Sequence, residues 1–312
     1  MNSKNFSLVG QNPQFINALN FGTNLALSKS PLLICGEIGT GKTEMAHFIH
    51  ANSARASKPV IVIDCSLDPV EVENNILGYR DASGAFNKGA FEQGNGGTVV
   101  LQNVECLEEK FQKKLQTIIS ELADFDLDIR LIATTSKILS KYVTNGRFIR
   151  SLYNFFSKST INMPSLRDRK EDIRDLCEFF LEEYLAAHPN KKLQFNEDIF
   201  PIITEYYWTQ NIKELKEVVE NAIENCTGEY VDVKAIEQGE KTVEMKRMDN
   251  DEDGIKLMSL RDAEQLLIKK ALMHTSENRT QAAKILGVSI RTLRNKINEY
   301  RTGGSAYFAN LR

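Results

Sequence analysis

The chain lacks any apolar run near the roughly 18 residues of a membrane span, and its polar opening, Met1 to Ser7, is no secretory signal. A soluble cytoplasmic protein is expected, with no membrane partner. Paired cysteine spacing is missing as well. Cys35, Cys65, Cys106, Cys177 and Cys226 stand apart, Cys35 and Cys65 within apolar, strand-like runs, so no disulfide framework is read and free thiols in a reducing compartment are expected. There is no internal repeat. His47 and His50 lie three apart on a helical stretch, but no carboxylate or cysteine completes a metal set around them, and ordinary helix positions are expected. Strong charge of one sign is absent too: the net charge is −3, with 42 % hydrophobic residues, enough for packed cores in two or three domains of a 312-residue chain.

What is present is a complete phosphate loop, GEIGTGKT, formed by Gly36, Glu37, Ile38, Gly39, Thr40, Gly41, Lys42 and Thr43. Gly36 and Gly41 let backbone N–H groups approach phosphate, Lys42 reaches the β- and γ-phosphates, and Thr43 holds Mg²⁺. ATP with Mg²⁺ is the cofactor this implies. Hydrolysis needs more: a carboxylate to organise the metal and a base to position water. Where that acidic pair belongs, after the apolar run Val99-Val100-Leu101, the chain reads Gln102-Asn103. Binding and turnover are expected to have come apart.

Three segments follow from the patterning. Through residue 165, apolar runs at Leu32–Cys35, Val60–Ile63, Thr98–Leu101 and Arg130–Ala133 alternate with helical stretches, which predicts an α/β domain with a mostly parallel sheet. Residues 166–235 read as helices, broken near Pro189, Thr209-Gln210 and Gly228. A linker at 236–256 follows; residues 236–254 carry seven acids and three bases, and its Asp249–Asp253 run reads as solvated chain rather than a cation site. Residues 257–312 form an all-α domain, whose stretch 278–302 holds six bases against Glu299 alone. There Ala282-Ala283 permits close helix packing, Gly287 a tight turn, and Ser289 caps a second helix. With Leu293 and Ile297 turned inward, Arg291, Thr292, Arg294, Asn295 and Lys296 are placed to meet the bases and phosphates of duplex DNA. Leu260, Ala263, Leu267, Ala271 and Leu272 form an apolar stripe consistent with a dimerising helix.

Several stretches together carry a family resemblance: Leu8-Val9-Gly10-Gln11-Asn12, GEIGTGKTEMAHFIHANSAR at 36–55, GAFEQGNGGT at 89–98, MPSLRDRKEDI at 163–173 and NIKELKEVVENAI at 211–223. Residues 8–235 resemble the AAA+ domain of bacterial enhancer-binding proteins, the ATPases that activate sigma-54 RNA polymerase, and 257–302 resemble their Fis-type DNA-binding domain. The resemblance implies an AAA+ P-loop parallel sheet with a helical lid at 166–235, then a Fis-type helix-turn-helix. It also implies RNA polymerase holoenzyme as a partner and a homo-oligomer, dimeric through the C-terminal domain and able to form a higher ring. No receiver or sensory domain is expected ahead of Leu8.

The departures from the family pattern fall on turnover. Gln102-Asn103 stand for the family's Asp-Glu, Asp64 for an Asn that relays to the catalytic Glu, and Ser136 for a sensor Asn. Ile149 and Phe155 align with two arginines that reach a neighbouring subunit's γ-phosphate, and Lys213 with the lid's sensor Arg, keeping the charge at the nucleotide but losing the planar fork. The polymerase-contacting loop is short: Gly84-Ala85-Phe86 lacks the Thr-Gly-Ala that follows in the family, and a plain surface loop is expected. A missing base forfeits about 10²–10⁴ in rate, a missing arginine finger about 10³–10⁵. Poor hydrolysis is the expectation. A working ATPase, using Glu105 for the acid or Arg150 for the finger, and an inactive partner subunit in a relative's ring stay open.

Overall fold

The four apolar runs become strands of one sheet because each is short, β-branched or leucine-rich, and able to bury both faces. In the computed structural model, which describes residues 8–226 and 228–237 and, further on, 264–265, 267–269, 271–272, 275 and 279–302, they are β1 (Leu32–Cys35), β2 (Val60–Asp64), β5 (Thr98–Gln102) and β6 (Arg130–Thr135). A fifth strand, β7 (Thr160–Asn162), joins at the edge, giving the order β2-β5-β6-β1-β7. All pairings in this sheet are parallel.

Helices cover both faces. On one side α1 (Pro13–Ala26) and α2 (Lys42–Ala51) pack Phe15, Met45 and Ile49 onto Leu32, Ile34, Val100 and Ile132. On the other, α3 (Pro69–Leu77), α5 (Glu109–Glu121) and α7 (Arg150–Phe156) bring Ile76, Leu115, Leu152 and Phe156 against Leu33, Val99 and Leu101. Alternate residues of one strand therefore serve opposite cores, as the two-residue period of a strand requires. The sheet order sets the site: the loop after β1 and the end of β5 flank the end of β6.

Between α3 and the four-residue helix α4 (Ala90–Gln93), the expected plain loop is an antiparallel hairpin of β3 (Gly78–Arg80) and β4 (Phe86–Lys88). Asp81 organises its turn, its Oδ1 accepting from Ser83 N at 2.9 Å, Ser83 Oγ at 2.5 Å and Ala85 N at 3.1 Å. These bonds, Ser83 first, hold the Asp81 carboxyl below its ordinary pKa despite some desolvation. After β6 come α6 (Leu139–Thr144) and α7, where Ile149 and Phe155 pack against the domain's apolar core.

The lid gathers around α8 (Ile173–Ala187), the short α9 (Phe200–Glu205) and α10 (Asn211–Asn225), with a two-residue parallel pairing of β8 (Gln194–Phe195) and β9 (Tyr230–Val231). Its core holds Leu176, Phe180, Ile203, Trp208, Leu215 and Val219. Trp208 donates its indole N–H to Ile203 O at 2.8 Å, which satisfies the one polar atom of a buried ring.

The chain divides into two compact units, Met1–Asn250 and Asp251–Arg312. In the second, α11 (Arg279–Ile285) and α12 (Ile290–Thr302) close around Ile268, Leu272, Ala282, Ala283, Leu293, Ile297 and Tyr300. Residues 238–256 of the expected linker, and Leu260 and Ala263 of the expected stripe, lie outside the described residues.

Candidate nucleotide-binding site

The phosphate loop leaves β1 at Cys35 and delivers the chain into α2 at Lys42, so the helix N-terminus faces the space the loop encloses. Thr40 Oγ1 donates to Glu37 O at 2.9 Å, closing the turn, and Gly36 N donates to Thr135 O at 3.2 Å, fixing the loop to the end of β6. Gly39 (φ +75°) and Gly41 (φ +89°) take left-handed backbone that other residues rarely adopt. At Gly39 a Cβ would stand 1.9 Å from Gln210 O, so only glycine lets the lid approach the loop this closely.

Lys42 is folded inward. Its Nζ donates to Gly36 O at 2.9 Å and Glu37 O at 2.7 Å. Burial lowers its pKa, and the nearby Glu105 carboxylate is the largest influence in the other direction. A buried cation capped by two carbonyls inside a glycine-rich turn is an anion site.

The lid grips the same loop through contacts that no short motif announced. Arg167 meets Glu37 in a two-pronged ion pair, with Nη1 to Oε2 at 2.7 Å and Nη2 to Oε1 shorter still. Arg167 is the main reason Glu37 titrates below its ordinary range, against a smaller desolvation effect. Asn211, fully buried, accepts from Leu166 N at 2.7 Å and donates to Ile38 O at 2.9 Å and Glu37 Oε2 at 3.2 Å. Ile212 N donates to Gly39 O at 3.0 Å. Lys213, expected at the nucleotide, has a 60 % exposed side chain with Nζ 4.0 Å from Glu217. A second clasp ties residues 9–12 to the lid: Asp172 Oδ1 accepts from Gln11 N at 2.6 Å and Asn12 N at 3.0 Å, and Arg169 donates to Val9 O. Neither stretch, 8–12 or 163–173, carries a short motif that marks these contacts.

At the end of β5 the two amides have found partners. Gln102 Nε2 hydrogen-bonds Thr43 Oγ1 over a very short distance. Asn103, in left-handed backbone at φ +54°, donates Nδ2–H to Asp64 Oδ1 at 2.9 Å. Asp64 also accepts from Ser66 N and Oγ; burial pushes its pKa up, but these hydrogen bonds outweigh it and the net shift is downward. Glu105, just beyond, accepts from Ser136 N at 3.0 Å and Ser136 Oγ at 2.8 Å, leaving Oε2 buried with no hydrogen-bond partner. The loop fits a phosphate chain. The donors around Thr43 do not fit the expected Mg²⁺, because a neutral amide stands where an oxyanion would be needed.

Beside the loop lies a cavity of about 350 Å³ lined by Cys35, Gly36, Glu37, Ser136, Tyr153 and Asn162, among others. His50 needs no metal: Nδ1 pairs with Thr98 Oγ1 at 2.8 Å and Nε2 with Lys58 O at 3.1 Å. All five cysteines are free. Among the described residues no helix is long and apolar enough to cross a membrane.

In the second unit Ser289 Oγ accepts from Thr292 N at 3.0 Å, the cap expected for α12. Arg291, Thr292, Arg294 and Asn295 are exposed on that helix. Lys296 is turned otherwise: its Nζ lies 2.9 Å from Glu264 Oε2 and 3.5 Å from Glu299 Oε2. Of the apolar stripe, Ala271 and Leu272 are buried in the unit's own core and Leu267 is exposed.

A family model described as the sigma-54 interaction domain matches residues 8–162, an AAA+ ATPase lid model residues 167–252, and a model of bacterial regulatory proteins of the Fis family residues 259–300. The transcriptional regulatory protein ZraR of Klebsiella oxytoca is 32 % identical over 308 residues, covering 94 % of this chain and 69 % of that protein. FlbD of Caulobacter vibrioides is 30 % identical over 323 residues, covering 95 % and 71 %. Among solved structures, NtrX from Brucella abortus matches with a TM-score of 0.67 at 21 % identity over 93 % of this chain and 69 % of that one, a likeness of fold. Its complexes with ADP and with ATP have also been solved. The sheet, the helical lid, the helix-turn-helix and these relatives agree, and the chain belongs to the family of sigma-54-dependent bacterial transcriptional regulators.

Proposed function

We propose that this protein regulates transcription by binding duplex DNA through α12, and that its phosphate loop holds ATP or ADP as a ligand with little or no hydrolysis. The observation that carries the reading is the pair of amides at the end of β5, with Gln102 on Thr43 and Asn103 on Asp64, where turnover needs a metal-organising acid and a base. Two further features support it. Ile149 and Phe155, aligned with the arginine fingers, are apolar and packed on the core of their own domain. The hairpin that stands for the polymerase-contacting loop is short and closed on Asp81.

On this reading Gly36 to Thr43 cradle the phosphates, and bound nucleotide stabilises the grip of the lid on the loop. Arg291, Thr292, Arg294 and Asn295 face DNA, with Ser289 fixing the start of their helix. The protein works in the cytoplasm as a homo-oligomer, a dimer through its C-terminal unit with a higher ring as the family's larger assembly, and RNA polymerase holoenzyme is its partner at the promoter.

One observation favours a second reading, a working ATPase. Glu105 is a carboxylate close enough to Lys42 to be its main electrostatic counterweight, and one of its oxygens is buried and unpaired. Phosphate release by purified protein, at ring-forming concentration with DNA, decides between the two. The proposed reading expects no release above that of Lys42→Ala, and ATP-dependent opening of a sigma-54 promoter in vitro would overturn it.

A further inference from the structure

Thr43 is the loop residue that would hold a divalent cation, and its hydroxyl is engaged by Gln102. Either orientation of that amide leaves the hydroxyl with a neutral partner. Mg²⁺ is a hard cation that sheds water reluctantly and is held beside phosphates through carboxylates. The two carboxylates at this end of the sheet each have one oxygen engaged by the protein, and Glu105 Oε2 is buried without a partner. Asp64 Oδ1 accepts from Asn103 Nδ2 and Ser66, and Glu105 Oε1 accepts from the backbone and hydroxyl of Ser136. Among the described residues no three His, Cys, Asp or Glu side chains converge as a metal set. The anion-binding half of the site is nevertheless intact, with Lys42 inside the loop and Gly39 and Gly41 in the backbone conformation it needs.

We propose that this site binds the phosphates of an adenine nucleotide without a divalent cation. The inference rests on the nucleotide reading above and narrows it to the metal-free form of the ligand. Gln102 takes the place of the cation's protein anchor: it gives the Thr43 hydroxyl a neutral hydrogen-bond partner and removes the negative charge that would hold the ion.

Isothermal titration calorimetry of the full chain with ATP, once in excess EDTA and once in magnesium chloride, tests this. Native protein is expected to give dissociation constants within about threefold of each other. Gln102→Asp, which returns a carboxylate beside Thr43, is expected to bind ATP about tenfold tighter with magnesium than with EDTA. Lys42→Ala supplies the baseline without the loop cation. Native binding that appears only with magnesium overturns the inference and leaves the nucleotide reading standing; if Glu105→Gln then abolishes that dependence, the cation belongs to Glu105. Native protein that matches Lys42→Ala in both buffers overturns the nucleotide reading, and this inference with it.

Discussion

Asn211 joins the lid to the phosphate loop, and its replacement by alanine has a consequence that can be worked out beforehand. The side chain is fully buried, at φ +53°, and it satisfies Leu166 N while donating to Ile38 O and Glu37 Oε2. Alanine leaves the Leu166 N–H buried and unpaired, which costs about 1–3 kcal/mol, and forfeits about 1 kcal/mol for the contact to Ile38 O. Left-handed backbone costs alanine about 1–2 kcal/mol, whereas asparagine tolerates it. Asn211→Ala is therefore expected to destabilise the first unit by about 3–6 kcal/mol, which at a urea slope of about 2 kcal/mol/M lowers the midpoint by about 1.5–3 M. The chain's one tryptophan, Trp208, lies in the lid core, and its carbonyl accepts from Asn211 N at 2.8 Å. Its fluorescence during urea unfolding thus reports this unit without interference. Asn211→Gly loses the same hydrogen bonds without the backbone strain, so it should recover about 1 kcal/mol relative to alanine. A loss below about 1 kcal/mol in Asn211→Ala would refute the assignment of Asn211 as the joint.

Three other predictions follow from named contacts. In DNA binding followed by fluorescence anisotropy over a salt series, Arg294→Ala should weaken binding and reduce the salt slope by about one, whereas Lys296→Ala, already paired with Glu264 and Glu299, should leave the slope unchanged; equal slope changes would contradict the pairing. Because Arg167 holds the Glu37 pKa below its unfolded value near about 4.3, the Glu37 contribution is fully present above that value and is lost as pH falls through the folded pKa. The stability gap between native protein and Glu37→Gln should accordingly be flat near neutrality and close in acid, and a gap that widens in acid would reverse the assignment. Gln102→Asp with Asn103→Glu should not restore turnover, since Ile149 and Phe155 stay apolar and the new Glu would meet the Asp64 carboxylate where Asn103 now donates; phosphate release above about 1 s⁻¹ would refute this.

The sheet was legible because its strands are contiguous apolar runs bounded by turns, and the loop because its eight residues are consecutive. The clamp was not, because its partners are far apart in sequence: Arg167 and Glu37 by 130 residues, Asn211 and Glu37 by 174. Position on a helical wheel leaves the partners of two features of the second unit unspecified. Lys296 sits on the polar side of α12 yet has an acidic partner at Glu264, and Ala271 and Leu272, read as a surface for another copy, pack on Ala282, Leu293 and Ile297 of the same unit. Periodicity marks which residues leave water but not what they meet. The β3–β4 hairpin leaves no periodic signal in the sequence because its strands are three residues long and its order comes from one side chain, Asp81, bonding its own turn.

The distribution of the altered positions explains how binding and turnover can separate without harm to the fold. Gly36, Gly39 and Lys42 are tied into packing: a Cβ at Gly36 would lie 2.9 Å from Met163 Cβ, one at Gly39 would collide with Gln210 O, and Lys42 is buried on two loop carbonyls. Changing Gly36 or Lys42 disturbs the loop's own packing, and changing Gly39 disturbs the joint between loop and lid. At the end of β5 Gln102 and Asn103 are neutral amides, which lack the negative charge of a carboxylate and carry N–H donors in its place. Both amides here have partners, Gln102 at Thr43 and Asn103 at Asp64. Ile149 and Phe155 gain apolar contacts with the core in exchange for a charge that would act only on another subunit. Substitution at the loop therefore disturbs packing, whereas Gln102 and Asn103 each sit with a partner. A fold under selection only to bind its nucleotide and its DNA would drift to this pattern of retained loop and replaced acids.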